Sequence, residues 1–242
     1  MKILILGGTA EARHLANRLV ELGHDVVTSL AGRTQDPILP RGGLRMGPFG
    51  GIPGLCAYLR AAGIERLVDA THPYAGLISI NAVEAAHLTG TRLVRYMRPP
   101  WQAAPGQNWT MVDSAQEAAD SLPAGAHVLL TTGHSGLATY LEREDCFFLV
   151  RVIEAPDFAL PAHAELLRTR PPYRLEDEIA LLQRHGITHL VSKNSGGAQT
   201  AAKLEAAEKT GTKVLMIARP AYGPALEVDS VESALAALEI GA

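Results

Sequence analysis

Residues 2–12, Lys-Ile-Leu-Ile-Leu-Gly-Gly-Thr-Ala-Glu-Ala, constrain this chain more than any other stretch. The apolar run from Ile3 to Leu6 is short and stops at a Gly-Gly-Thr, so it reads as a buried strand closed by a tight turn. An amphipathic segment follows at once. Ala12, Leu15, Ala16, Leu19 and Val20 recur at helical spacing, with Arg13, His14, Asn17 and Arg18 between them. A helix starting there aims unpaired amide N–H groups at the end of the strand, where they suit an anion such as a phosphate.

The rest of the chain repeats this grammar. Strands are expected at residues 25–29, 44–46, 65–70 and 91–96, with helices at 54–62 and 76–88. The segment 99–108, rich in Pro, Gly, Gln and Asn, reads as a domain junction. Beyond it come strands at 109–112, 127–132, 147–153, 164–169, 188–192 and 213–218. Helices fall at 114–122, 137–142, 175–185, 198–210 and, in the tail, 229–238, where Asp229 or Ser230 suits the N-cap. Alternation of this kind is the signature of parallel sheets covered by helices. The expected fold class is therefore α/β, with two Rossmann-like parallel-sheet lobes whose strand ends suit a ligand cleft between them. The expected domains are residues 1–100, which carry the anion-suited turn, and 101–242, which complete the cleft.

Composition narrows the function classes. Apolar residues make up 47% and charged residues 19% of the 242, with a net charge of −3, which gives no general nucleic-acid or membrane signal. No run is long and apolar enough to span a bilayer, and the amino terminus enters a strand without a signal-peptide pattern, so the cytoplasm is the expected location. Cys56 and Cys146 sit in unrelated contexts and read as reduced packing residues; no metal site is expected.

Four strand-to-helix turns, at 7–11, 71–76, 133–136 and 193–197, fall at carboxyl ends of strands, the edge where open α/β sheets bind ligands. In the first turn, Gly7 and Ala12 fit the dinucleotide fingerprint and Thr9 replaces its middle glycine, offering a hydroxyl and an N–H to a phosphate. Gly8, Ala10 and Glu11 complete the turn. The second strand ends without an acid but with Ser29 and then Arg33, a pattern that favours NADP(H) over NAD(H), with Arg33 on the 2′-phosphate. In a doubly wound sheet the fourth strand lies beside the first. Thr71, His72, Pro73 and Tyr74 should therefore face the glycine turn, with His72 able to shuttle a proton or hold a carboxylate. In the second lobe, Lys193 precedes Asn194, Ser195, Gly196 and Gly197, a plausible anion nest with a point charge beside it. Thr132 and Gly133 form a weaker version. Arg98 and Arg219 lie near strand ends, where basic groups suit substrate carboxylates.

No Tyr-x-x-x-Lys, Gly-x-Ser-x-Gly or complete Walker pattern occurs, which counts against short-chain dehydrogenase, nucleophilic hydrolase and P-loop mechanisms.

Leu-Gly-Gly-Thr-Ala-Glu-Ala at 6–12, Asp-Ala-Thr-His-Pro-Tyr-Ala at 69–75, Arg-Tyr-Met-Arg-Pro-Pro-Trp at 95–101 and Ser-Lys-Asn-Ser-Gly-Gly at 192–197 together resemble the precorrin-6A reductase family of cobalamin biosynthesis. Arg219-Pro220 fits too, so the resemblance spans the chain. It implies an oxidoreductase that uses NADPH to reduce one ring double bond of the corrinoid precorrin-6A, giving precorrin-6B. By position it implies that residues 7–11 hold the pyrophosphate, Arg33 the 2′-phosphate, and residues 71–74 the surroundings of the nicotinamide. Residues 193–197 would face these from the second lobe. Many members carry Phe at the place of Tyr74, which implies an aromatic wall there. His72, Tyr74, Lys193 and a water are the candidate proton donors, and the sequence does not choose among them. The expected partner is the small-molecule corrinoid alone, with a monomer as the expected state. A non-catalytic NADP(H) sensor, a cobalt-precorrin-6A reductase and an NADP-linked reductase of a small carbonyl compound are the competing readings.

Overall fold

A computed structural model describes residues 1–32 and 38–239. Arg33, the expected 2′-phosphate ligand, lies outside the described residues. The chain divides into two compact units, Met1–Pro99 joined by the C-terminal stretch from Pro220, and Pro100–Arg219.

The first unit carries β1 (Lys2–Leu6), α1 (Ala10–Glu21), β2 (Asp25–Leu30), β3 (Gly43–Met46), α2 (Gly51–Ala61), β4 (Arg66–Asp69), α3 (Gly76–Thr89) and β5 (Arg92–Tyr96). The second carries β6 (Trp109–Val112), α4 (Ala115–Asp120), β7 (His127–Leu130), α5 (Leu137–Leu141), β8 (Phe147–Val152), β9 (Ala164–Arg168), α6 (Leu175–Arg184) and β10 (His189–Lys193). It continues through a 3-10 turn (Ala198–Thr200), α7 (Ala202–Thr210) and β11 (Lys213–Ile217). The chain then returns to the first unit as β12 (Leu226–Val228) and α8 (Val231–Ala237).

Both sheets are six-stranded, and every pairing among the described residues is parallel. The orders are β12-β5-β4-β1-β2-β3 and β6-β11-β10-β7-β8-β9. Each has the doubly wound arrangement, reversing direction between β1 and β4 in one and between β7 and β10 in the other. The place beside β5 goes to β12, whose Leu226 pairs with Val94, 132 positions earlier, and not to the next strand along the chain.

The stretch after Arg219 therefore departs from the expected division, which assigned all of 101–242 to the second lobe. β12 has only three residues, too few for a period to show in sequence. What builds it is the ladder onto β5, extended by the Met97 N–H donating to the Val228 carbonyl at 2.8 Å. A second difference lies at 198–210, where a single helix was expected. A 3-10 turn opens that segment and the α-helix starts at Ala202. Of the two expected caps for the tail helix, the structure uses Ser230, in a reciprocal capping box with Ser233.

The apolar run that opens the chain serves two cores. Ile3 and Ile5 face α1 and α8 with Leu15, Leu19, Ala234 and Leu238, whereas Leu4 and Leu6 face α2 and α3 with Leu55, Leu59, Ala82 and Ala85. Strand alternation splits the run between the two faces, and helices on both faces bury all of it. In the second unit, Leu129, Leu149, Leu190 and Met216 pack beneath α6 and α7 through Leu182, Leu204 and Ala207.

One buried histidine is expected to make this packing sensitive to pH. His189 on β10 is 7% exposed, its Nδ1 lies 2.8 Å from the Thr188 hydroxyl, and its register partner is Lys213. Burial, and then the Lys213 charge, push its pKa below the ordinary 6.5. The unfolded chain thus binds the proton first as pH falls. The stability tied to a neutral His189 is complete above about 6.5 and is lost as pH drops towards the depressed folded value. The drop in Tm between about pH 7 and about pH 5 should be smaller in His189→Gln than in the parent. Equal drops in thermal scans would assign the acid sensitivity elsewhere.

Candidate functional site

In the first unit, the turn after β1 and the loop after β4 emerge side by side, because those strands pair in register from Ile3–Arg66 to Leu6–Asp69. The turn approaches β2 closely. The Gly7 N–H donates to the Ser29 carbonyl at 2.9 Å, and a Cβ at Gly7 would lie 2.8 Å from the Thr28 methyl. No side chain fits there without displacing Thr28. Gly8 follows with φ +109, a backbone conformation suited to glycine.

Thr9 caps α1, its Oγ1 accepting the Ala12 N–H at 3.0 Å and donating to the Ala70 carbonyl at 2.8 Å. That hydroxyl proton is committed to tying the helix start to the end of β4. Beside that hydroxyl, the turn offers backbone donors. The amides of Ala10 and Glu11 stand in the first helical turn, where no carbonyl lies one turn back to receive them.

The Glu11 carboxylate accepts from Arg98 Nη1 at 2.8 Å. Thr9, Glu11, Thr71, Pro73, Tyr96 and Arg98 line one small recess in this unit. Within the recess Arg98 offsets the acidic charge near the helix N-terminus, which would otherwise repel an anion. Thr71 is fixed by Asp69, whose Oδ1 accepts both its N–H at 3.2 Å and its hydroxyl at 2.7 Å. His72 is exposed; its Nδ1 accepts the Tyr74 N–H at 3.3 Å, which leaves the proton of the neutral ring on Nε2, and the two rings lie 5.8 Å apart.

The second unit has a comparable edge. β7 and β10 pair up to Leu130–Val191, and the Thr131 N–H continues the ladder to the Val191 carbonyl at 3.0 Å. Thr132 and Gly133 thus emerge beside Lys193. Thr132 is 4% exposed, and its Oγ1 has no hydrogen-bond partner among the described residues. Burial pushes the Lys193 ammonium below the ordinary lysine pKa. Gly196 and Gly197 both have positive φ, a backbone conformation suited to glycine.

Asn194 has a structural task that the sequence did not disclose. Its side-chain amide brackets the Trp101 backbone, accepting from Trp101 N at 2.7 Å and donating to Trp101 O at 3.0 Å. Arg219 Nε donates to the Asn194 carbonyl at 2.7 Å, so Arg219 fastens the same turn.

The predicted residues therefore fall into two sets, one per unit. Gly7 to Glu11, Thr71 to Tyr74 and Arg98 share the carboxyl edge of the first sheet. Thr132, Gly133, Lys193 to Gly197 and Arg219 share that of the second. The sequence reading missed Lys203. It is 5% exposed, its Nζ donates to Thr131 Oγ1 at 3.2 Å, and it lies 5.1 Å from the centre of the Trp101 ring. Its one sequence signal is a lysine next to Leu204 in the buried stripe of α7. Among the described residues no group of three or more His, Cys, Asp or Glu is placed to hold a metal ion, and no helix is long and apolar enough to cross a membrane.

Comparison with known proteins identifies the family. The family model described as precorrin-6x reductase CbiJ/CobK matches residues 2–239. The precorrin-6A reductase of Rhodococcus erythropolis is 48% identical over 238 residues, covering 97% of this chain and 96% of its own. That of Mycobacterium tuberculosis is 45% identical, covering 96% of this chain and 95% of its own. A solved structure of CobK precorrin-6A reductase superposes with a TM-score of 0.92 at 38% identity, covering 98% of this chain and 96% of that one. The chain belongs to the precorrin-6x reductase family, and its reaction is the reduction of precorrin-6A in cobalamin biosynthesis.

Proposed function

We propose that this oxidoreductase draws its electrons from NADPH, held at the carboxyl edge of the first sheet, and yields precorrin-6B. The observation that carries the reading is the Gly7 turn. It has no room for a Cβ, leads into the first turn of α1, and lies beside β4 where the sheet reverses direction. A pyrophosphate fits that cradle, because the backbone can approach it closely and the Ala10 and Glu11 amides point outward. Gly8, Thr9, Ala10 and Glu11 hold it through main-chain N–H groups, and Gly7, whose own N–H is bonded to Ser29, leaves room for the approach. Arg33 takes the 2′-phosphate, a role resting on its place after β2 and on the absence of an acid there.

NADPH supplies a hydride to one carbon–carbon double bond of the ring, and the protein supplies alignment, charge and a proton. Thr71, His72 and Pro73 shape the wall beside the pyrophosphate turn. Thr132, Gly133, Arg98 and Arg219 serve the carboxylate side chains of the tetrapyrrole, with Ser195, Gly196 and Gly197 adding backbone donors. The bracket on Trp101 gives Asn194 its part, which is to hold that turn in shape. His72, Tyr74 and Lys193 are the protein's proton-donor candidates. Burial makes the Lys193 ammonium a stronger acid than an exposed lysine, which favours proton release at the reacting carbon. Cys56 and Cys146 are both buried and unbridged, which suits the cytoplasm as the place of reaction.

The test is an anaerobic mixture of purified protein, precorrin-6A and either NADPH or NADH, followed by absorption. One NADPH should be consumed per ring reduced, with NADH much slower. No NADPH loss in the presence of authentic substrate would overturn the reading, and equal rates with both nucleotides would remove the 2′-phosphate contact from it.

A further inference from the structure

We propose that the segment returning to the first unit after Pro220 is a positioning device for the loop that carries Thr71 to Tyr74, with Tyr222 as its principal positioning residue. The choice of loop rests on the reading of that sheet edge as the reductant site.

Two ties run from the returning segment to this loop, and they meet where Arg95 Nη2 donates to the Tyr222 carbonyl at 3.5 Å. The first is direct. Tyr222 is 7% exposed, and its hydroxyl donates to the Pro73 carbonyl at 2.7 Å. Its ring lies against the start of α3, so close that a Cβ on Gly76 would be 3.2 Å from Cε1. The second tie passes through Arg95, which is 1% exposed. Its Nη1 donates to the Gly223 carbonyl at 3.2 Å and to Glu227 at 3.0 Å, and its Nε faces Asp69 at 3.5 Å. Asp69 in turn fixes Thr71 through the two hydrogen bonds described above.

Thr71 is thus held from one side and Pro73 from the other, with His72 between them. Both ties end on residues 222–227. The Tyr222 tie lies outside the β12 ladder, which runs from Leu226 to Val228, whereas Glu227 of the second tie belongs to it. A buried carbonyl left without its donor loses a contact that water cannot easily replace, so the loop samples more conformations when the Tyr222 hydroxyl is removed. Within the loop, the Ala75 N–H donates to the His72 carbonyl at 2.8 Å and the Tyr74 N–H to His72 Nδ1 at 3.3 Å.

Tyr222→Phe keeps the ring against Gly76 and deletes only the hydroxyl. In this variant, hydrogen exchange at residues 72–79 should speed up by about fivefold, the scale of one buried hydrogen bond. KM for NADPH should rise by a similar factor, about fivefold, with kcat changed by less than about twofold. Tm should stay within a few degrees of the parent. A fall in Tm with unchanged exchange at 72–79 and unchanged KM would mean that Tyr222 only packs, and would overturn the proposal. If the parent protein used no NADPH at all, the reductant reading would fall, yet the exchange comparison would still decide whether Tyr222 fixes the loop.

Discussion

Gly7→Val is expected to weaken NADPH binding by about two orders of magnitude, close to 3 kcal/mol. A Cβ at this position meets the Thr28 methyl at 2.8 Å and stands 3.5 Å from Ala12 Cβ and from the Leu30 side chain. Valine adds two further methyl groups to a space that does not hold the first. Thr28 is 1% exposed and belongs to β2, whose ladder with β1 leaves it little freedom to move. The turn must therefore shift away from β2, carrying the Ala10 and Glu11 amides with it. Titration of nucleotide fluorescence measures the loss directly, and urea unfolding of the same variant separates it from any drop in stability. Binding within about threefold of the parent would show that the pyrophosphate does not rest on this turn.

The largest effect on stability should come from Glu178. Its two carboxylate oxygens accept from Arg151 Nη1 and Nη2 at 2.9 and 2.8 Å, and the two residues are 3% and 6% exposed. The guanidinium also lies 4.4 Å from the centre of the Tyr173 ring. Glu178→Ala leaves a buried cation without its counter-charge, and the expected cost is about 3–5 kcal/mol. Replacing both partners, as Arg151→Met with Glu178→Leu, should recover most of that loss, because no charge is then left stranded. Denaturant melts of Arg151→Met, Glu178→Leu and the double variant form the cycle. If the double variant were as unstable as the sum of the singles, the cost would come from lost packing and not from the unpaired charge.

These two residues mark different limits of what the sequence can reveal. Gly7 was legible because its constraint is local. A strand, a turn and a helix follow one another within eleven residues, and each is written in spacing and residue type. The pairing of β1 with β4 followed from the doubly wound rule, applied to strands that could be counted. Glu178 and Arg151 could not be paired by reading, since each looks like an ordinary charge on an amphipathic element, 27 positions from the other. Lys203 likewise reads as one more helix lysine, and only the fold puts it beside Thr131 and Trp101.

Polar groups with two plausible uses show the same divide. The Thr9 hydroxyl, which the sequence offers to a phosphate, caps α1 and bonds Ala70 in the fold. Asn194, which the sequence puts in the second-lobe turn, brackets Trp101 with its amide. In both cases the structural partner is a backbone group 61 or 93 residues away. Local sequence carries no record of such a partner.

By itself, then, the sequence determined the alternation of strands and helices, the turns at the carboxyl ends of β1, β4, β7 and β10, and through its motifs the family. Those properties depend on periodicity and on the special backbone freedom of glycine, both of which act over a few residues. Only the tertiary structure decided that the chain goes back after Arg219 to place β12 beside β5 and Tyr222 under Pro73. A three-residue strand has no period of its own. Its place is set by the ladder that receives it and by a buried arginine that needs the carbonyl and carboxylate it brings.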